Sequence, residues 1–321
     1  MQISWGIIGC GNVTEVKSGP AFNKVPDSKL VAVMRRNGQK AEDYARRHRV
    51  SKWYDDAEQL INDPEVNAIY VATPPSSHEE YAIKAMKAGK PVYLEKPMST
   101  DASAAERIAA MAKETGIKVS IAHYRRQQPL FLKIKSLLDE KAIGEPSLVT
   151  LRCWQPHQSD MIAKTDENWR LDPSISGGGL FHDLSPHQLD LMIYFFGKPK
   201  QSNGIAFNAA GIYQADDSVS GQIVFENKVL FNGSWCFTID KKEEWCEIVG
   251  TAGSLRFSIF EHQPLVIERG GKEEIISFDK LEHVQQPMIE AVVQYFLGRK
   301  ENPCSVEEGV EVMRLIDKLT S

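Results

Sequence analysis

From residue 3 to about residue 123, short apolar runs alternate with stretches whose apolar positions recur every three or four residues. The runs are "ISWGII", "KLVAVM", a short one around Trp53 and Tyr54, "NAIYVAT", "PVYLE" and "KVSIAH". Between them, "QKAEDYARRHR", "DAEQLIN", "HEEYAIKAMKAG" and "DASAAERIAAMAKETG" carry the helical period. Asp56 and Asp101 stand where helices need an N-cap, Gly89 and Gly116 where they stop, and Pro64 bars continuation. Strands that alternate with helices of this length predict a parallel sheet with crossover connections.

After about residue 145 the rhythm changes. One long apolar helix, "HQLDLMIYFFG", ends at Gly197 and Pro199. Most of the rest reads as strands and turns: "SLVTLRCW", "SGQIVFEN", "KVLFNGSWCFTI", "WCEIVGT", "SLRFSIF", "PLVIER" and "EEIISF". Gly- and Asn-containing turns between them predict an antiparallel sheet. The expected fold class is therefore α/β: a doubly wound parallel domain over residues 1–122, then an α+β domain over 123–321 with a large open, mostly antiparallel sheet. The amphipathic "EEGVEVMRLIDKLT" closes the chain and is assignable to either domain.

Composition narrows the function classes. Lysine and arginine total 38 against 43 acidic residues, a formal charge of −5. That mild acidity argues against a broad nucleic-acid surface, which needs a basic face. No run of about 18 apolar residues predicts a membrane span, and the N-terminus does not read as a secretory signal. Cys10, Cys153, Cys236, Cys246 and Cys304 are odd in number, scattered and without a CxxC pair. No metal site is expected, and a reducing, cytoplasmic setting fits.

The first strand runs into "GCGNVT". Gly9 permits a tight turn, and Gly11 lets a pyrophosphate approach the N–H groups of Asn12 and Val13 at the helix start. The third position of the pattern is Thr14 rather than a small residue. At the end of the second strand, an acid would accept from the ribose 2′-hydroxyl of NAD. Here stand Arg35 and Arg36, cations suited to the 2′-phosphate of NADP. NADP is the expected cofactor and NAD the lesser alternative.

Glu95, Lys96 and Pro97 fall at the carboxyl end of a strand, the edge where open parallel sheets bind ligands. Lys96 can hydrogen-bond a carbonyl oxygen and stabilise a developing alkoxide. In "GGGLFHDLSPHQLD", Asp183 and His187 are four apart and share a face if both are helical. The imidazole can exchange a proton with a hydroxyl or ketone, and Asp183 can orient it. Two helix starts compete: Ser185-Pro186-His187-Gln188 reads as a capping box, whereas a start near Gly179 puts Pro186 inside the helix. Trp154, His157, Trp169 and Arg170 are candidates for a sugar pocket, since aromatic faces and guanidinium donors suit polyhydroxy ligands.

"GIIGCGNV", "VATPPSSHEEYAIKAMKAGKPVYLEKPMS", "RRQQPLF…IGEP", "GGGLFHDLSPHQLDLMIYFFG" and "EIVGTAGSLRF" resemble, in that order, the glucose-fructose oxidoreductase / inositol dehydrogenase / MocA family. The resemblance spans nearly the whole chain. It implies an N-terminal Rossmann domain and a C-terminal domain whose open sheet covers the site and mediates homo-oligomers, dimers or tetramers. It further implies NAD(P)-dependent oxidoreduction of sugars, polyols and related compounds. By the EKP motif Lys96 is the catalytic lysine and Glu95 lines the nicotinamide ribose region; the Lys-Pro bond of the family is often cis. By the D-x-x-x-H motif Asp183 and His187 complete the catalytic group. Thr73, Pro74 and His78 match the T-P-x-x-x-H cofactor loop. Thr14, Arg35 and Pro186 depart from the family pattern. "NWRLDPSISGGG" is similar to part of the 1,5-anhydrofructose reductases, which use NADPH.

Three functions fit: an NADP(H)-dependent oxidoreductase of a sugar-like substrate, a non-enzymatic NADP-binding sensor, or an elimination or hydrolysis that uses bound nicotinamide transiently. The presence of Lys96, Asp183 and His187 together favours the first.

Overall fold

The computed structural model describes residues 2–157 and 169–321. The chain forms two compact units, Met1–Gln127 with Glu282–Met313, and Gln128–Leu281 with Arg314–Ser321.

The first unit is built from β1 (Ile3–Ile8), α1 (Asn12–Val16), β2 (Ser28–Met34), α2 (Gly38–His48), β3 (Lys52–Tyr54), α3 (Ala57–Asn62), β4 (Ala68–Val71), α4 (His78–Lys87), β5 (Val92–Leu94), α5 (Ala102–Thr115) and β6 (Val119–Ile121). Its strands are all parallel, in the order β3-β2-β1-β4-β5-β6. Near-continuous apolar runs such as Ala68–Val71 are buried throughout, as a sheet covered on both faces requires. The Asp56 carboxylate accepts from Gln59 N at 3.0 Å and that of Asp101 from Ala104 N at 2.8 Å, so both expected caps form. Gly116 closes α5 in the left-handed region at φ 66°.

The second unit holds α6 (Pro129–Asp139), β7 (Pro146–Trp154), α7 (Pro173–Ser176), α8 (Gly179–Phe196), β8 (Pro199–Phe207), β9 (Ser218–Phe225), β10 (Leu230–Cys236), β11 (Glu243–Gly250), β12 (Gly253–Phe257), β13 (Leu265–Arg269) and β14 (Lys272–Ile276). Its sheet runs β14-β13-β12-β11-β7-β10-β9-β8. Every pairing is antiparallel except that of β10 with β7. Both sheets agree with the expected fold class.

The first unit also includes Glu282–Met313, which the division at 122/123 assigns to the second domain. There lie α9 (Gln286–Phe296) and most of α10 (Val306–Leu319). The edge strand β6 has open backbone groups, and the returning chain meets them: Ile121 N donates to Cys304 O at 3.1 Å. The Phe296 ring lies 5.6 Å from that of Trp5, and Lys118 Nζ donates to Tyr295 O at 2.8 Å. An apolar helical stripe shows that a helix is buried, not against what, so the sequence pattern could not place this segment. In the first unit a Cβ on Gly309 of α10 would lie 2.8 Å from Met98 Sδ. In the second, Gly204 and Gly221 make room for Leu319 at the helix end.

The helix α8 starts at Gly179, so Pro186 is inside it. Ser176 Oγ accepts from Gly179 N at 2.9 Å and serves the start of the helix, which leaves the Ser185 capping box unused. Both Asp183 and His187 are therefore helical and one turn apart on one face.

Candidate active site

In the first unit the chemistry collects at the carboxyl edge of β1, β2, β4 and β5. Gly9 has φ +95°, and a Cβ there would lie 2.8 Å from Ala72 C and Thr73 N. The turn after β1 thus needs glycine both for its backbone and for the close passage of the loop after β4. Gly11 differs: its φ is −137°, and an added Cβ would meet nothing nearer than Gly9 O at 3.9 Å. Among the described residues no atom demands glycine at 11, which leaves open space over the turn for a ligand to approach. Asn12 and Val13 open α1, a helix of five residues. Thr14 is accommodated in full burial: its Oγ1 donates to Gly11 O at 2.8 Å, and its carbonyl accepts from Tyr44 Oη at 2.8 Å.

Arg35, half-buried, sits beside this turn, with Nη1 3.5 Å from Cys10 O; Arg36 is exposed. Burial pushes the Cys10 thiol up to about 12, which keeps it a neutral packing group. In the loop after β4, Thr73 Oγ1 is buried and has no hydrogen-bond partner among the described residues. Buried hydroxyls are ordinarily hydrogen-bonded, so this one can take a bond from a ligand or a water. Pro74 follows in extended backbone. His78, fully buried, reaches from Thr73 O (Nε2, 2.7 Å) to Pro97 O (Nδ1, 2.9 Å) and so ties that loop to the corner after Lys96. Burial lowers its pKa.

Lys96 follows β5, and the Lys96-Pro97 peptide is cis. The Glu95 carboxylate, 5 % exposed, accepts from three donors: Tyr70 Oη at 2.5 Å and Gln285 Nε2 at 2.7 Å on Oε1, and Lys96 N at 3.1 Å on Oε2. Sequence reasoning missed Tyr70 and Gln285. A hydroxyl in the buried run "AIYV" was a legible signal, since it must find a partner; nothing marked Gln285. It also passed over His123, just beyond β6 at the same edge. Burial, Arg126 and Lys96 hold that imidazole well below its ordinary pKa.

In the second unit, α8 presents Asp183 and His187. Asp183 Oδ2 accepts from Arg170 Nε at 3.0 Å, and both side chains are largely buried. The Arg170 guanidinium lies 4.3 Å from the centroid of the Trp169 ring, and its Nη1 has no partner among the described residues. His187, buried, has the Phe260 ring at 5.8 Å and 76°. The Trp235 indole N–H donates to Gln188 Oε1 at 2.6 Å, so α8 covers the sheet face that carries Trp235 and its register partner Cys153.

Trp154 is not part of this group. It follows Cys153 and so points to the opposite face, because strand side chains alternate. There its Nε1 donates to Ser234 Oγ at 2.9 Å, and the Arg152 guanidinium lies 4.7 Å from its ring centroid. The aromatic type suggested a sugar pocket, but strand parity decides the face. His157 is exposed, and Asn168, in the anhydrofructose-reductase-like stretch, lies outside the described residues.

A parallel sheet in this strand order, with a glycine turn at its first crossover, defines a dinucleotide-binding fold. Residues 3–123 match the family model described as an oxidoreductase family with an NAD-binding Rossmann fold, and residues 131–256 match the GFO/IDH/MocA C-terminal domain. Oxidoreductase P35 of Formosa agariphila is 46% identical over 316 residues, covering 98% of this chain and 98% of that protein. The 1,5-anhydro-D-fructose reductase of Ensifer adhaerens is 27% identical over 258 residues, covering 78% of this chain and 74% of its own. Among solved structures, the aldose-aldose oxidoreductase of Caulobacter crescentus complexed with glycerol superposes with a TM-score of 0.87 at 20% identity, covering 99% of this chain and 96% of that one. The chain belongs to the Gfo/Idh/MocA family of oxidoreductases. Among the described residues, no helix is long and apolar enough to cross a membrane.

Proposed function

We propose that this protein is an NADP(H)-dependent oxidoreductase acting on the CH–OH group, or the matching carbonyl, of a sugar, polyol or related compound. The observation that carries the reading is the convergence, at one edge of the parallel sheet, of the Gly9–Gly11 turn, Arg35, the Thr73 loop and the Glu95–Lys96 corner. The open space over Gly11 and the unpartnered Thr73 hydroxyl fit a dinucleotide.

In this reading Gly9, Gly11, Asn12 and Val13 take the pyrophosphate, Arg35 and Arg36 take the 2′-phosphate, and Thr73, Pro74, His78 and Glu95 border the nicotinamide end. When bound, the nicotinamide ring gives or accepts the hydride. Lys96 donates a hydrogen bond to the substrate oxygen as charge develops on it. His187 takes or returns the hydroxyl proton, a contribution of about 10²- to 10⁴-fold where such a group is well placed. Asp183, fixed by Arg170, orients substrate and imidazole, and Arg170 Nη1 and Trp169 are suited to a polyhydroxy ligand. The Ensifer and Caulobacter relatives are named for sugar-type substrates, which supports the substrate class.

The uncovered face of the second sheet carries Leu148, Ile205 and Phe207, together with the Arg152–Trp154 stack and a cavity of about 400 Å³ beside Trp245 and Arg256. We assign this face to a homo-oligomer, dimer or tetramer; a monomer by light scattering at working concentration refutes that assignment. Absorbance at 340 nm with NADPH and a panel of sugar ketones, aldoses and inositols tests the activity. Turnover of at least one supports it; tight NADPH binding with no turnover across the panel sinks it in favour of a sensor.

A further inference from the structure

The segment that returns from the far end of the chain grips two parts of the first unit at once. Glu282 pairs with Lys24 at 2.7 Å, His283 Nδ1 lies 2.7 Å from Val16 O, and Gln285 N donates to Lys17 O at 3.3 Å. All three hold the region that follows the glycine turn. From the same segment, Gln285 Nε2 donates to Glu95 Oε1 at 2.7 Å, on the other side of β1 in the sheet. Gln285 is 1 % exposed and opens α9, with its carbonyl accepting from Ile289 N at 3.0 Å. Its Oε1 receives Tyr93 Oη at 3.4 Å, which fixes which way the amide faces.

The consequence concerns Lys96. Glu95 is nearly buried, and its Oε2 accepts from the Lys96 backbone N–H. The orientation of that carboxylate therefore sets the peptide from which the lysine side chain springs. Its other oxygen is held by Tyr70 and Gln285, two donors in fixed directions. Tyr70 Oη also lies 3.2 Å from Ser18 Oγ, so that arm too leads back to the chain after α1.

Resting on the oxidoreductase reading above, we propose that Gln285 is a positioning residue: with Tyr70 it clamps the Glu95 carboxylate, which holds the Lys96 peptide in the geometry catalysis needs. His283 and Gln285 thereby join the dinucleotide turn to the catalytic corner through one short segment. The titratable groups that face Glu95 are Tyr70 of β4, Tyr93 of β5, His78 of α4 and Lys96 beside it.

The test uses the full chain with Gln285→Met, which keeps length and removes the donor, and Tyr70→Phe, which removes only a hydroxyl from the same oxygen. Should the first fail to fold, the second carries the same expectation. Each variant is expected to lower kcat about tenfold, the worth of one hydrogen bond to a charged group, with the KM for NADPH nearly unchanged. A merely structural role would lower the melting temperature without separating kcat from the KM for NADPH. Amide-hydrogen exchange at Lys96, read without substrate or cofactor, is expected to quicken at least tenfold in both variants while the β1 amides stay protected. Unchanged exchange at Lys96 overturns the inference whatever the activity shows. A kcat within about threefold of an active wild type in both variants also overturns it. A wild type that binds NADPH but turns nothing over sinks the oxidoreductase reading, and the catalytic role of the clamp with it.

Discussion

Replacing Arg35 by aspartate tests cofactor choice. Arg35 is half-buried beside the Gly9–Gly11 turn, and its one side-chain hydrogen bond among the described residues is the long 3.5 Å contact to Cys10 O. A guanidinium has five donors, so most of its capacity remains for a ligand. A hydrogen bond to a charged group is worth about 1.5–3 kcal/mol, which corresponds to roughly a 10- to 150-fold difference in binding. Arg35→Asp removes that bond, places a like charge against a 2′-phosphate, and supplies an acceptor for the free ribose hydroxyls of NAD. The ratio of kcat/KM for NADPH over NADH is therefore expected to fall by at least about tenfold, with dissociation constants from nicotinamide fluorescence moving in parallel. Arg35→Ala, which repels nothing, should lose part of the preference without gaining NADH. A ratio that stays within about threefold in Arg35→Asp refutes the assignment, because the 2′-phosphate would then be held elsewhere.

Glycine substitutions separate fold from ligand. Gly11→Ala is expected to leave the melting temperature within about 2 °C, since no atom of the described residues crowds the site, yet to weaken NADPH binding at least tenfold. Gly9→Ala, forced into φ +95° against the Ala72–Thr73 backbone, should destabilise by about 2 kcal/mol or more in urea unfolding. Arg170→Met leaves the Asp183 carboxylate buried without its cation, and should cost about 3 kcal/mol of stability by the same measurement. Burial holds the His182 ring near 4 against an ordinary 6.5, so the unfolded chain binds its proton first as pH falls. Stability should therefore drop between pH 6.5 and 4, by about 3 kcal/mol from this ring, with His78 and His123 adding in the same direction. His182→Gln should flatten part of that decline; an equally steep decline in the variant refutes the assignment.

Much of the first unit was legible because its signals are local. Asp56, Asp101 and Gly116 act at the helix ends where their chemistry suits them, and the six apolar runs became the six parallel strands in register. Lys96 was placed by the apolar run that ends before it, whereas the shared face of Asp183 and His187 depended on a helix start that the sequence left open between Gly179 and Ser185. What escaped depends on partners distant in sequence. Strand β8 was passed over because it is an exposed edge with polar residues and with Ile205 and Phe207 facing outward. The return of Glu282–Met313 to the first unit, and with it the bond from Gln285 to Glu95, spans 190 residues of sequence separation. Trp154 looked like a ligand platform by type, and only its parity with Cys153 shows which face it takes.

The most direct measurement compares wild type with Lys96→Met for NADPH binding by fluorescence and for turnover at 340 nm with the substrate found in the panel. The expected result is an unchanged dissociation constant with turnover reduced at least about 100-fold, since one preorganised donor to a developing oxyanion is worth that much. Turnover that survives in Lys96→Met, or a wild type that binds no dinucleotide at millimolar concentration, would contradict it.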